Sequence, residues 1–341
     1  MNDRRPRPAP PLPSLSGLLG PDLPDVLTSC RRRVGLITSI ERVHGGNVAH
    51  VFRVRGEHTS VILKIRRDRY ARMPSLRTDP TVIDDERRAL TVYGSIAPTV
   101  FPQVLGFHAE AHTMILSDVF PGGRNYHDQL TERPATAAEM TLLGRTLRRI
   151  HHAAQDADTA FRTRSNQWFQ ERSFLFCLRA TGHHVLAQTC EELSAVPHPQ
   201  LVLGDLAPKN LHLTTSSVAI CDLDNVHAGW PPYDIAYFLA HLLIHHLGRP
   251  GHLRTLVPAL LTAYFDAEPP LCLAPAEALL LAKVVAGVVL YRLDETVPYP
   301  LPGPTVLADQ CRTRVLRLLD AETFTVQDVV RAAATSRETT P

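Results

Sequence analysis

Leu203-Gly204-Asp205-Leu206-Ala207-Pro208-Lys209-Asn210-Leu211-His212-Leu213, followed by Val218-Ala219-Ile220-Cys221-Asp222-Leu223-Asp224, is the stretch whose reading decides the fold. An aspartate and an asparagine five residues apart sit on a tight loop, and a second aspartate ends an apolar, strand-like run about a dozen residues later. That pattern suits phosphoryl transfer. One carboxylate accepts the proton of an attacking hydroxyl, while the amide oxygen and the later carboxylate hold Mg²⁺ on nucleotide phosphates. A lone Asp222-Leu223-Asp224 would carry little weight, because aspartates at strand ends are commonly turns or caps.

The chain before this stretch reads differently from the chain around it. From Arg33 to Arg66 it consists of short β-like runs, Val34 to Ile40, Val48 to Val54 and Ser60 to Ile65, with a Gly45-Gly46 turn between the first two. Asp84 to Tyr93 has helical spacing, and Thr113 to Leu116 closes the β-rich part. Ser117-Asp118-Val119-Phe120-Pro121-Gly122-Gly123 has the turn residues of a hinge. Beyond it, Ala135 to Ala154, Ser173 to Leu193, Tyr233 to Leu247, Leu253 to Phe265, Ala274 to Arg292 and Val306 to Leu319 repeat apolar residues at helical intervals, with Leu201 to Leu223 as a β-rich island. The expected fold is therefore α+β and bilobal, with a small antiparallel-sheet lobe followed by a mostly helical one. The expected segments are a disordered Pro/Arg-rich tail over 1–25 with seven prolines, an N-terminal lobe over 26–116, a hinge over 117–123, a helical lobe over 124–325 and a second tail over 326–341.

Lysine usage sharpens the reading of the N-terminal lobe. Of 36 basic residues only Lys64, Lys209 and Lys283 are lysines, which fits the coding bias of a G+C-rich genome, so a retained lysine merits a reason. Lys64 lies in the apolar run Val61-Ile62-Leu63-Lys64-Ile65, and Glu86 follows in the helix-like Asp85-Glu86-Arg87-Arg88-Ala89-Leu90. A strand lysine that contacts nucleotide phosphates and is held by a helix carboxylate is one part of the kinase arrangement. The plainer alternative is a lysine guarding an edge strand.

Together these elements resemble the aminoglycoside phosphotransferase and choline kinase branch of small-molecule kinases. Its loop reads H-G-D-x-x-x-x-N, its metal strand I-D-x-[DE], and a G-D-P-x-[YF]-D-[LI]-A run follows. The matches here are Gly204-Asp205 with Asn210, Ile220-Cys221-Asp222-Leu223-Asp224, and Gly229-Trp230-Pro231-Pro232-Tyr233-Asp234-Ile235-Ala236. Gly45-Gly46-Asn47-Val48-Ala49-His50 resembles the phosphate-covering hairpin, and Leu147-Arg148-Arg149-Ile150-His151 the end of the helix after the hinge. The resemblance spans roughly residues 33–320. It implies a protein-kinase-like fold with Asp205 as catalytic base, Asn210, Asp222 and Asp224 at the metal, and Lys64, Glu86, Gly45, Gly46, Asn47, Ser117 and Val119 around the nucleotide. Asp234 would brace the catalytic loop, and His151 and His152 would be structural or solvent-facing. Two departures stand out: Leu203 occupies the position where the family usually has histidine, and the hairpin lacks the usual serine.

Composition bounds the function. Net charge is only +2, divided as 17 basic against 12 acidic residues up to position 122 and 19 against 22 after it. Neither a nucleic-acid binder nor a polyanion mimic is indicated. The run Leu279 to Tyr291 is too short to span a bilayer and reads as a buried helix, and no secretory leader is evident, so a cytoplasmic protein is expected. Six scattered cysteines without a C-x-x-C pair read as free thiols. The expectation is a Mg²⁺-dependent phosphotransferase using ATP or GTP and a small-molecule hydroxyl acceptor. That acceptor is an antibiotic of nucleoside, macrolide or aminoglycoside type or a hydroxylated metabolite, in a resistance or biosynthetic setting. The mild acidity of the second half tilts it toward a neutral or singly charged molecule. Trp168, Phe169, Trp230 and Tyr233 are aromatics that could pack on a ring, although most large aromatics at such spacing are simply core. The alternative is a drifted pseudokinase acting as a nucleotide-binding scaffold.

Overall fold

Short apolar strands build the sheet of the first half, and helical repetition builds the second. The computed structural model describes residues 14–43, 48–157, 177–197, 199–294 and 305–334. The chain forms two compact units, Met1–Arg87 with Gln103–Asp118, and Arg88–Pro102 with Val119–Pro341.

In the first unit, β1 (Ile37–Arg42), β2 (His50–Gly56), β3 (Ser60–Ile65), β4 (Val104–His108) and β5 (Thr113–Ser117) form one antiparallel sheet in the order β1-β2-β3-β5-β4. Period-two alternation puts Phe52, Val54, Val61, Leu63 and Ile65 into one apolar cluster. Lys64, between two of those residues, pairs with Val51 on β2 and Met114 on β5. The lysine thus lies on an interior strand, which disposes of the edge-guard alternative.

Residues 14–25 depart from the expected tail. They form helix α1 (Leu15–Leu19), a short turn and the start of α2 (Leu23–Val34). Leu18, Leu19, Val26, Cys30 and Val34 join the apolar cluster of the sheet. The prolines that suggested disorder serve as helix starts: Pro21 and Pro24 occupy first-turn positions, where the missing N–H has no intrahelical partner to lose. Ser14 caps α1 by accepting from Gly17 N at 3.1 Å. Val34, expected to begin the first strand, instead ends α2, and Gly35 turns the chain with φ +79°.

Helix α3 (Val82–Ile96) carries Glu86 in the part that belongs to the first unit. The second unit contains α4 (Tyr126–Glu132), α5 (Ala137–Ala153), α6 (His184–Ser194), and two small ribbons in which β6 (Gln200–Val202) pairs with β9 (His227–Gly229) and β7 (Leu211–Leu213) with β8 (Val218–Ile220). Next come α7 (Pro232–His245), α8 (Pro250–Phe265), α9 (Pro275–Arg292), α10 (Thr305–Leu319) and α11 (Val326–Ala334). Every residue of α7 is buried, so this helix is the axis of the unit. Helices α5 and α8 cross at Gly144, where a Cβ would come 2.6 Å from the Leu260 carbonyl oxygen. The run expected as a buried helix is α9, with Leu280 to Leu290 buried except Lys283, which leaves the core to pair with Glu192 on α6 at 3.0 Å. The tail expected over 326–341 also differs, since α11 buries Val329, Val330, Ala332 and Ala333 behind a Thr325–Asp328 cap. No helix among the described residues is long and apolar enough to cross a membrane, and none of the six cysteines forms a disulfide.

Two outcomes follow from this packing. Leu19→Ala should lower unfolding free energy by about 2–4 kcal/mol, the range for a buried leucine, whereas a change of under about 0.5 kcal/mol in urea titration would mean α1 is peripheral. The second concerns acid. Burial holds His227 and His246 down at about 4 and His245 at about 3, while the unfolded chain protonates near 6.5. As pH falls below about 6.5 the unfolded state takes up protons that the native state refuses. Stability present above that pH therefore drains away toward pH 4, by about 1.4 kcal/mol per pH unit for each such histidine. The urea midpoint should fall between pH 7.5 and pH 5.5, and a flat profile there contradicts neutral burial.

Candidate active site

The loop after β6 is shaped by one glycine and one carboxylate. Gly204 has φ +80°, and a Cβ there would lie 2.1 Å from the Asn225 carbonyl oxygen, so only glycine lets loop and neighbouring turn touch. Asp234, fully buried in the first turn of α7, accepts from the backbone N–H of Leu203 (Oδ2, 2.8 Å) and of Gly204 (Oδ1, 2.8 Å). His151 at the end of α5 completes its coordination, with Nε2 3.0 Å from Asp234 Oδ2 and Nδ1 2.8 Å from the Tyr264 hydroxyl on α8. Asp234 therefore does brace the loop, and His151 is structural; its neighbour His152 is exposed.

Beyond the brace the chain turns tightly. Ala207 N donates to Asp205 O at 2.8 Å and Asn210 N to Ala207 O at 2.9 Å. These turns bring Asn210 back to Asp205, whose backbone carbonyl and Oδ2 accept from Asn210 Nδ2 at 3.0 and 3.1 Å. Lys209 Nζ lies 3.3 Å from the same Oδ2. The Asp205 carboxylate raises the Lys209 ammonium above its ordinary value against the effect of burial, with Asp222 adding to it. The other oxygen, Asp205 Oδ1, is buried and has no hydrogen-bond partner among the described residues. A buried carboxylate oxygen left bare is costly unless a ligand supplies the donor.

The strand β8 is tied to this loop: Cys221 N donates to Asn210 O at 2.9 Å, and Ile220 N to Val100 O at 2.8 Å. Asp222 follows with φ +63°, a left-handed conformation that aspartate tolerates better than most residues. Strain of that kind marks positions where the surroundings dictate the backbone. Asp224 is buried two residues on. Asn210 commits its amide nitrogen to Asp205 and so keeps its side-chain oxygen as an acceptor. An amide oxygen and two carboxylates form the hard-oxygen set that Mg²⁺ prefers, and by donor chemistry Asn210, Asp222 and Asp224 fit it.

In the first unit, Lys64 Nζ donates to Glu86 Oε1 at 2.7 Å, with both side chains almost wholly buried. At the other end of β5, Ser117 donates its backbone N–H to Gln103 O (3.0 Å), and its hydroxyl oxygen accepts from Gln103 N (2.8 Å). Asp118 next to it is held by Arg53 Nε at 2.6 Å and the Ser60 hydroxyl at 2.7 Å. Val119 is half-buried. Gly45, Gly46 and Asn47, expected over the phosphates, and Trp168 and Phe169 lie outside the described residues. Trp230 and Tyr233 are core side chains, 5% and 1% exposed, and do not offer a free ring face.

Lys209 was not among the expected site residues, although the scarcity of lysine that singled out Lys64 applied to it equally. Arg292 at the end of α9 was missed for want of any signal, being one arginine among 33. Its Nη2 donates to the Tyr237 hydroxyl at 2.8 Å, and that hydroxyl is 3.8 Å from Cys177 Sγ. Burial works against the Arg292 charge, but Tyr237, Cys177 and Asp205 outweigh it and raise the guanidinium above its ordinary value.

Comparison with known proteins agrees with this geometry. Residues 39–273 match the sequence profile described as the phosphotransferase enzyme family. No curated protein matches the chain in sequence. Similar solved structures include a choline/ethanolamine kinase family protein from Mesorhizobium loti, with 17% identity, 92% of this chain and 99% of that chain covered and TM-score 0.51. Another is an amicoumacin kinase solved with AMP-PNP, Ca²⁺ and Ami, with 14% identity, 89% and 95% covered and TM-score 0.55. A third is described as an aminoglycoside phosphotransferase by assignment alone, from Ralstonia eutropha, with 14% identity, 93% and 99% covered and TM-score 0.52. At these identities the likeness is one of fold.

Replacing Asp234 tests the brace. Asp234→Asn offers one carbonyl oxygen and one NH₂ to two backbone N–H groups, leaving one of them unsatisfied in a buried site. The expected cost is about 1–3 kcal/mol by chemical denaturation. Tyr264→Phe, which removes only the outermost link, should cost no more than about 1.5 kcal/mol.

Proposed function

The chain belongs to the phosphotransferase enzyme family and is a small-molecule kinase, and on that premise we propose that it moves the γ-phosphoryl group of ATP or GTP, with Mg²⁺, onto a hydroxyl of a small acceptor. The observation that carries this reading is the bare Oδ1 of Asp205. Asn210 and Lys209 occupy Oδ2, so Oδ1 is the oxygen to which an acceptor hydroxyl would donate. The ion pair with Lys209 holds Oδ2 in place and leaves Oδ1 turned away from it.

In the proposed reaction the acceptor oxygen forms a bond to the γ-phosphorus, the bond from that phosphorus to the β–γ bridging oxygen breaks, and the hydroxyl proton passes to Asp205 Oδ1. Nucleoside diphosphate leaves. Lys64, oriented by Glu86, holds the α- and β-phosphates. Asn210, Asp222 and Asp224 hold Mg²⁺, whose contribution when bound is to neutralise charge on the phosphates. Lys209 supplies a second cation beside the base. The nucleobase is assigned to the backbone following Ser117, at Val119 and Phe120, since Ser117 has already committed its own N–H.

Charge around Asp205 supports a neutral or singly charged acceptor over a polycation. Lys209 and Arg292 both act on Asp205 electrostatically, while Tyr233, Tyr237, His241 and His245 line up along α7 with their histidines held neutral by burial. A polycation would meet two fixed positive charges here. An uncharged antibiotic or hydroxylated metabolite would not. The intact brace and the retained Asp205, Asn210, Asp222 and Lys64 weigh against a pseudokinase.

The test is incubation with Mg²⁺ and ATP or GTP against nucleoside, macrolide and aminoglycoside antibiotics, with phosphorylated products read by mass spectrometry. Once an acceptor is found, Asp205→Asn should lower kcat by about 10²–10⁴-fold, the usual contribution of a general base, with the Kd for nucleotide changed less than about threefold. Full activity in that variant would remove Asp205 from the mechanism.

A further inference from the structure

The catalytic loop runs from β6 to β7 and the metal turn from β8 to β9, so both connect the same two ribbons, and something must hold them in register. The direct contact is between Gly204 and the Asn225 carbonyl, which a Cβ on Gly204 would approach to 2.1 Å. One side chain fastens that carbonyl: His227 Nδ1 lies 2.8 Å from Asn225 O. The ring is 2% exposed and sits against both glycines of the joint, where a Cβ on Gly204 would lie 3.0 Å from Nδ1 and one on Gly229 2.6 Å from Nε2. Tyr233 meets it edge-on, with ring centroids 6.2 Å apart. His227 also pairs across the ribbon with Val202, the residue just before Leu203. Leu203, where the resembling family usually has histidine, is itself buried at 2% exposure, and its hydrocarbon side chain donates no hydrogen bond to the metal turn.

We infer that His227 is a positioning residue that locks the turn Asp222–Asn225 against Gly204, in the place left by the absence of histidine at position 203. Because an imidazole nitrogen facing a carbonyl oxygen must carry its proton to make the bond, His227 is in the Nδ1–H form. Its hydrogen bond fixes the backbone of Asn225, and with it the adjoining Asp224 and the strained Asp222. Groups that orient metal ligands in this way typically contribute 10–100-fold to metal affinity. Calling this turn metal-binding rests on the proposed phosphotransferase reading; the lock itself does not.

Two measurements on the full chain decide it. Nitrogen-15 NMR of histidine-labelled protein, with His227 assigned through the His227→Asn variant, should show the Nδ1–H tautomer; the Nε2–H tautomer would overturn the inference. Calorimetry should then compare Mg²⁺ with AMP-PNP binding to the wild type, His227→Leu and His227→Asn. The leucine keeps bulk and removes the donor, and should weaken binding 10–100-fold. The asparagine places its NH₂ near the position of Nδ1 and should stay within about threefold of wild type. A folded His227→Leu with wild-type affinity, or an asparagine variant as weak as the leucine one, would sink the lock. A wild type that binds no Mg²⁺–AMP-PNP would instead sink the phosphotransferase reading, and the tautomer would still judge His227.

Discussion

Asp234 holds the functional half of the molecule together. A fully buried carboxylate is tolerated only when its oxygens are satisfied, and here two consecutive backbone N–H groups and one imidazole do so. Those three donors come from two separate places, the end of α5 and the catalytic loop, while the carboxylate itself stands at the start of the most buried helix. The arrangement converts the rigidity of α7 into a fixed position for Gly204 and hence for Asp205. The same constraint explains the glycine: a loop pulled this close to α7 presses on the neighbouring turn, leaving no room for a Cβ.

A buried ion pair also lies in the first unit, where Lys64 and Glu86 meet almost without solvent. Such a pair is weak evidence for stability, because hydrophobic replacements often do as well. Its presence on an interior strand, where valine or isoleucine would pack better, points to a requirement other than folding. Around Asp205 the balance differs. One oxygen is crowded by Asn210 and Lys209, and the other has no partner among the described residues. The site is asymmetric about a single carboxylate, which suits the proton acceptor proposed for it.

Much of this was legible in the chain. The spacing of Asp205, Asn210 and Asp222 reflects local geometry, since five residues suffice for a single tight turn to bring an amide back to a carboxylate. The sheet and the long helices follow from periods of 2 and 3.6, and α9 was readable as buried because its apolar run is nearly continuous. Reading failed where composition and pattern disagreed. The prolines near the start suggested disorder, yet Pro21 and Pro24 begin helical turns whose apolar faces cover the sheet. Trp230 and Tyr233, which the sequence left open between packing on a ring and filling the core, take the core role at the start of α7.

What the sequence by itself determined is the set of chemical groups and their local spacing: an aspartate and an asparagine five residues apart, two further aspartates, and a strand lysine with a helix glutamate 22 positions on. These follow from backbone turns of a few residues and from strand and helix periodicity, which are short-range effects. Only the tertiary structure decided which oxygen of Asp205 lacks a partner among the described residues, that Lys209 and Arg292 both bear on Asp205, and that His227 fastens the Asn225 carbonyl. Arg292 acts on Asp205 from 87 positions away and His227 meets Gly204 from 23 away, in a water-poor interior where each polar group must find a partner or remain open to a ligand.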